Sequence, residues 1–272
     1  MYCKEIETLF VIIYFLVLNT AGNTQTSSSI ISHKETSNMT KQMNIVRLGL
    51  VSYANGLKIQ EHYVNKLKNK QTPPDNAGTL LLLEHKPVYT IGIRSLKEYN
   101  KDLESELHHL GADFHKTNRG GLITFHGPGQ LVAYPIVNLK HFKPSVKWFI
   151  ESLEETIIQL CKQEFNLNAN LIPKYIGVFL DNEYKVCALG VHCSQYITHH
   201  GLAINCNTNL TWFSHVTPCG ITDKQVTSLS KHLNRDVSVD SVVPLFKKHF
   251  EKVFQCKLTE VDLDKEIKHL DS

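Results

Sequence analysis

The chain has no closely spaced pair of cysteines. Its seven, Cys3, Cys161, Cys187, Cys193, Cys206, Cys219 and Cys256, are odd in number and form no C-x-x-C. This excludes a fully paired disulfide framework and points to free thiols in a reducing compartment. Structural zinc prefers ligand pairs on tight turns, whereas Cys187, His192, Cys193, His199, His200 and Cys206 fall in strand-like alternation, with neighbours facing opposite ways. No metal is expected. Charge of one sign is scarce too: Lys+Arg 29 against Asp+Glu 26 leaves only +3. Nucleic-acid partners, which need a basic face, are not expected. The apolar run at residues 9–18 is ten residues long, too short for a comfortable bilayer span and closer to a signal-peptide core. No stable membrane span is expected. No arginine precedes Arg47, which makes a poor mitochondrial presequence. Residues 19–42 are rich in Ser, Thr and Asn without periodicity and read as disordered. Residues 1–42 are therefore a disordered or targeting extension, and Met39 or Met43 could equally be the true start.

What is present is ordinary globular material, 42% hydrophobic and 20% charged over 272 residues, enough for a sizeable core. From Met43 onward, helix and strand signals alternate. Ser52 can cap a helix carrying Tyr53, Leu57, Val64 and Leu67 on one side. Residues 79–83 and 88–91 are short β-like runs on either side of Lys86-Pro87. Leu103, Leu107 and Leu110 mark a second helix, closed by Gly111. After Ser145, Val146, Phe149, Ile150, Leu153, Ile157, Leu160 and Cys161 form one apolar stripe at helical spacing, which makes Cys161 a core thiol. Residues 176–180 and 185–189 flank Asp181-Asn182, a hairpin signal. A last helix runs from about Asp240 to Phe254. With no repeat and no linker, residues 43–262 read as one domain and 263–272 as a tail. Hairpin-joined strands imply an α/β fold with a mixed sheet flanked by helices.

The densest chemistry lies in Arg119-Gly120-Gly121-Leu122-Ile123-Thr124-Phe125-His126-Gly127-Pro128-Gly129-Gln130. Four glycines let the backbone turn sharply and approach a ligand closely, and a bare turn has no need of Arg, His and Gln together. Residues 122–125 and 131–137 read as strands flanking the glycine-rich turn. Further on, Cys219 stands between Pro218 and Gly220, a setting that presents a side chain from a loop. A thiol is a useful nucleophile only as thiolate, and a nearby ammonium favours that form. Lys185 is the candidate partner, because a lysine amid Val186, Cys187, Ala188 and Leu189 is costly on a strand unless paired.

Together with Lys185-Val186-Cys187-Ala188-Leu189-Gly190, His200-Gly201-Leu202-Ala203-Ile204-Asn205 and Thr217-Pro218-Cys219-Gly220, the glycine-rich string resembles the signature of the octanoyltransferases that initiate protein lipoylation. The resemblance runs from about residue 43 to 261, and 196–201 and 209–213 look most like animal mitochondrial members. It implies the biotin/lipoate protein ligase-like fold, with Cys219 as acyl-carrying cysteine and Lys185 as its activating lysine. It also implies an acyl pocket lined by Arg119, Gly120, Gly121, Leu122, Ile123, Thr124, Phe125 and His126, with Ala188, Leu189, Gly190, Gly201, Leu202 and Ala203. Backbone amides of these glycine-bearing segments are candidates for holding an oxyanion. The implied donor is octanoyl-acyl carrier protein. The implied acceptors are lysines of the lipoyl domains of 2-oxoacid dehydrogenases and of glycine cleavage H protein, in mitochondria. Thioester-to-amide exchange is downhill, so no cofactor is implied. Two alternatives are weighed: an ATP-dependent lipoate or biotin ligase, which would show a longer glycine run and need no Cys219, and a silent metal-binding scaffold.

Overall fold

The computed structural model of the chain describes residues 40–95, 100–216 and 223–262. Among them are twelve strands: β1 (Lys41–Val51), β2 (Asn76–His85), β3 (Val88–Ile91), β4 (Asp113–Lys116), β5 (Thr124–His126), β6 (Gln130–Val137), β7 (Ala169–Ile172), β8 (Tyr175–Leu180), β9 (Tyr184–Ser194), β10 (Ile197–Asn205), β11 (Gln225–Val226) and β12 (Cys256–Glu260). The larger sheet has the order β12-β1-β2-β6-β10-β9-β8-β7, with β11 added to β9. Pairings of β1 with β12 and β2, and of β9 with β11, are parallel. The pairings from β2 through β6, β10, β9 and β8 to β7 are antiparallel. The smaller sheet, β4-β3-β5, is mixed too. The mixed sheet is thus as the hairpin signals imply.

The central strands are apolar on both faces because both are covered. On β2, Leu80 and Leu82 enter one core cluster while Leu81 and Leu83 enter another; Leu131 and Ala133 against Val132 and Tyr134 divide β6 the same way. The first cluster packs under α3 (Val146–Phe165) and α5 (Val239–Phe254), the second under α1 (Tyr53–Lys68). Two short helices, α2 (Lys101–His109) and α4 (Leu229–Leu233), complete the set. No helix among the described residues is long and apolar enough to cross a membrane.

Local signals account for most boundaries. Ser52 Oγ accepts from Asn55 N (3.3 Å) and Ser145 Oγ from Trp148 N (3.2 Å), capping α1 and α3. Gly111, at φ +85, follows the end of α2. Phe149, Leu153, Ile157, Leu160 and Cys161 are buried on α3, each apolar side chain worth about 1.5–3 kcal/mol. Val146, assigned to the same stripe, is instead 40% exposed at the first position of the helix. Asp181 and Asn182, both at positive φ, turn β8 into β9. A second two-residue turn at Gln195 and Tyr196 joins β9 to β10.

The glycine-rich string departs from expectation in two ways. Its first strand begins at Thr124, not at residue 122, because Leu122 gives its carbonyl to Arg119 instead of to a ladder. The strands on either side of the Gly127-Pro128-Gly129 turn also enter different sheets, β5 the small one and β6 the large one. Gly129 makes this possible at φ +79, since a Cβ there would stand 2.8 Å from Asn207. The turn is tied down by Glu84 on β2, whose carboxylate accepts from Gly129 N at 2.6 Å.

Candidate active site

Arg119 is 7% exposed, and its guanidinium is turned onto its own loop and the small sheet. Nε donates to Thr90 Oγ1 (3.2 Å), Nη1 to Gly120 O (2.9 Å), and Nη2 to Thr90 O (2.7 Å), Thr90 Oγ1 (2.9 Å) and Leu122 O (2.8 Å). A planar fork of donors suits such convergent oxygens. The loop so formed closes on β9, where Gly120 N donates to Val191 O at 3.0 Å. Gly190 permits the approach: a Cβ there would lie 2.9 Å from Gly120 O.

Between this loop and the large sheet lies a narrow cleft, partly open to solvent. Its wall comprises Arg119, Gly121, Thr124 and His126 on one side and Ala188, Leu189, Gly190, Gly201, Leu202 and Ala203 on the other, with Tyr53, Tyr134 and His200. Burial pushes the histidines down, His126 to about 3 and His200 to about 2, with the Arg119 charge among the further causes. Both are neutral near pH 7. Burial likewise pushes Tyr53 up to about 12. His126 Nδ1 donates to Gln130 Oε1 (2.7 Å), and Gln130 Nε2 donates to Asn205 Oδ1 (2.9 Å). A space of small residues, neutral rings and an inward-turned guanidinium suits an uncharged chain.

A second, smaller cavity shares Thr124, Ala188 and Ala203 with the first. Lys185 lines it with Gln130, Cys187, Asn205, Phe213 and Val226. Lys185 is 6% exposed; its Nζ donates to Ile176 O at 3.0 Å and lies 5.6 Å from the Phe179 ring centroid. The two cavities adjoin, so a chain in the first would bring its head group toward an ammonium in the second.

Of the pocket residues expected from the motifs, the structure brings Arg119, Gly121, Thr124, His126, Ala188, Leu189, Gly190, Gly201, Leu202 and Ala203 to one cavity. Gly120, Leu122, Ile123 and Phe125 do not reach its wall. Phe125 stacks on Trp212 at 5.1 Å within the core of the small sheet, where Ile123 also packs. The Gly120 N–H is spent on Val191, which removes it from the oxyanion candidates. Cys219 lies outside the described residues, as does Cys3. Burial raises all five described thiols, Cys161, Cys206 and Cys256 to about 12, Cys187 well above the ordinary range and Cys193 less far, so each is protonated near neutrality. Sequence reasoning missed Tyr53, Tyr134 and His200 as wall residues. Tyr134 sits in an apolar strand that gives no cue, whereas His200 is the first residue of the motif at 200–205.

A family model, the lipoyl protein ligase A/B catalytic domain, matches residues 52–251. The chain is 50% identical over 214 residues to the Danio rerio protein named octanoyl-acyl-carrier-protein:protein N-octanoyltransferase LIPT2, mitochondrial, covering 79% of this chain and 93% of that protein. The Xenopus tropicalis protein of the same name is 47% identical over 210 residues, covering 77% and 86%. Among solved structures, a bi-partite lipoate protein ligase with its E2 lipoyl domain from Thermoplasma acidophilum superposes with TM-score 0.63 at 14% identity, covering 83% of this chain and 89% of that one. At that identity the likeness speaks to fold alone, and it is the ligase-like fold implied by the motifs. The glycine-rich cavity wall, the strand lysine and these relatives converge: the chain belongs to the protein N-octanoyltransferases of the lipoyl protein ligase A/B catalytic-domain family.

Proposed function

We propose that the chain transfers octanoyl from octanoyl-acyl carrier protein to a lysine of a lipoyl domain through a thioester on Cys219, and that it does so in mitochondria. The observation that carries this reading is the pair of adjoining cavities, one fit for an uncharged chain and the other floored by the buried Lys185. In the first half, the Cys219 proton passes to the Lys185 amine, giving the thiolate–ammonium pair in which Lys185 rests, and the thiolate then attacks the thioester carbonyl. The bond to the carrier sulfur breaks and that sulfur leaves with a proton, giving octanoyl-Cys219 and free carrier thiol. In the second half, the acceptor ε-amine attacks octanoyl-Cys219, forms the amide, and returns Cys219 to the thiol. No nucleotide enters the balance. Cys219 is the candidate nucleophile also because burial keeps the five described thiols protonated. The lipoyl-domain acceptor accords with relatives named for protein octanoylation. The mitochondrial setting rests on the printed names of those relatives.

The test is intact mass after incubation with octanoyl-acyl carrier protein in the absence of ATP. One octanoyl adduct on the wild-type chain, discharged by an apo lipoyl domain and absent from Cys219→Ser, is the expected result. An adduct that requires ATP, or that survives in Cys219→Ser, overturns the reading.

A further inference from the structure

Glu154 lies on the inner face of α3 between Leu153 and Ile157, 7% exposed. A carboxylate there is costly unless compensated. Its Oε1 accepts from Gly177 N at 3.0 Å. The carbonyl of the same peptide group, Ile176 O, accepts from Lys185 Nζ at 3.0 Å. One peptide unit therefore links two buried opposite charges that do not touch, with the carboxylate at its N–H and the ammonium at its C=O. Each end polarises the peptide in the sense that strengthens the other bond.

The backbone is shaped for this link. Gly177 stands at φ +127, and a Cβ on it would meet Cys187 O at 2.5 Å and Lys185 Cε at 2.8 Å. The β8–β9 register slips between Val178 and Phe179, opposite Cys187 and Lys185. Bulges of this kind re-aim a side chain. We propose that Glu154 is a positioning residue of the active site: through the Ile176–Gly177 peptide it aims the Lys185 ammonium into the second cavity and supplies its counter-charge. The role in turnover rests on the octanoyl-transfer reading; the bridge itself does not. The charged and titratable groups around Glu154 are Glu151 on its own helix, Lys185 and Cys187 on β9 and, through Cys187, Cys161 on α3. Burial raises the Glu154 pKa, the Gly177 hydrogen bond lowers it, Glu151 raises it and Lys185 lowers it.

The test joins a titration to kinetics on the full chain. Carbon-13 NMR of the Glu154 carboxyl is followed against pH in wild type and Lys185→Gln, and octanoyl transfer is measured for Glu154→Gln and, as control, Glu151→Gln. Loss of the ammonium should move the Glu154 midpoint upward. Glu154→Gln, whose amide oxygen can still accept from Gly177, should lower kcat by about tenfold or more with KM for octanoyl-acyl carrier protein nearly unchanged, as misplacement of a reacting group does. Glu151→Gln should leave kcat alone. An identical Glu154 midpoint in wild type and Lys185→Gln overturns the bridge, and unchanged kcat in Glu154→Gln overturns the positioning role. The titration needs neither substrate nor a folded Glu154 variant. A wild-type chain that transfers no octanoyl therefore refutes the functional reading while the bridge is still decided.

Discussion

Arg119 and Lys185 are both buried cations at the cavities, and they are held in opposite ways. Arg119 directs its fork at Thr90, Gly120 and Leu122 in five hydrogen bonds. Lys185 makes one among the described residues, to Ile176 O. A guanidinium saturated with fixed oxygens is a brace: it gives the glycine-rich loop its shape and has little capacity left for a ligand. An ammonium with a single protein acceptor keeps donors, or a lone pair once deprotonated, for something in the cavity. The first cation builds the wall, and the second is the one to which the proposed mechanism gives the chemistry.

The sharpest way to break this contrast is to exchange the two losses. Lys185→Ala should cost about 10²–10⁴-fold in kcat/KM, the range of a removed general base, while circular dichroism still shows the folded chain. Arg119→Lys should do the reverse. Three mobile donors on a flexible stem cannot serve Thr90, Gly120 and Leu122 together, so about 2–4 kcal/mol of stability should go. The fraction that stays folded, measured below the new melting transition, should retain transfer within about tenfold on the same argument. Comparable losses of chemistry in both variants would erase the distinction.

A smaller effect tests the neutrality of His126, on the first cavity's wall, and of His85 beside it. His126 and His85, pushed down by burial to about 3 and about 4, are uncharged when folded and ordinary when unfolded. Between the unfolded value near 6.5 and those folded values, the unfolded chain binds more protons. Stability is therefore complete above about pH 6.5 and is lost as pH falls. At pH 5 the loss should be about 2 kcal/mol for each such histidine, read from denaturant midpoints. His126→Gln should flatten that slope. A stability that holds or rises on acidification would mean the rings are charged in the folded chain.

How far the sequence discloses all this depends on whether a feature is local. The stripe on α3 from Phe149 onward, the Ser52 and Ser145 caps and the Asp181-Asn182 hairpin each depend on neighbours in the chain, and each stands where its pattern places it; only Val146, at the start of the stripe, does not. The start of β5 does not, because Arg119 reaches three residues forward to take the Leu122 carbonyl and keeps residues 122 and 123 out of the ladder. Nor can local pattern tell that strands on either side of one turn join separate sheets, since that choice depends on Glu84 and Asn207, far away in sequence. Ile123 and Phe125 look like pocket residues because they sit in the motif; Phe125 instead stacks on Trp212, and Ile123 packs against the same cluster. Glu154 was legible in principle: a carboxylate inside an apolar helical stripe is either misplaced or paired. What it pairs with becomes visible only when the Ile176–Gly177 peptide brings Lys185 to it.

The central claim is that Lys185, and not Arg119, activates Cys219. The direct measurement is the rate of Cys219 alkylation by iodoacetamide against pH, read by peptide mass, in wild type, Lys185→Ala, Lys185→Arg and Arg119→Lys. On the proposed pairing, loss of the Lys185 charge in Lys185→Ala should move the thiol midpoint upward and slow alkylation near neutrality. Lys185→Arg should restore reactivity better than turnover, since arginine keeps the charge but does not readily shed a proton. Arg119→Lys should leave the midpoint where wild type has it. Identical titrations in wild type, Lys185→Ala and Lys185→Arg, or a midpoint that moves only with Arg119, would contradict the account.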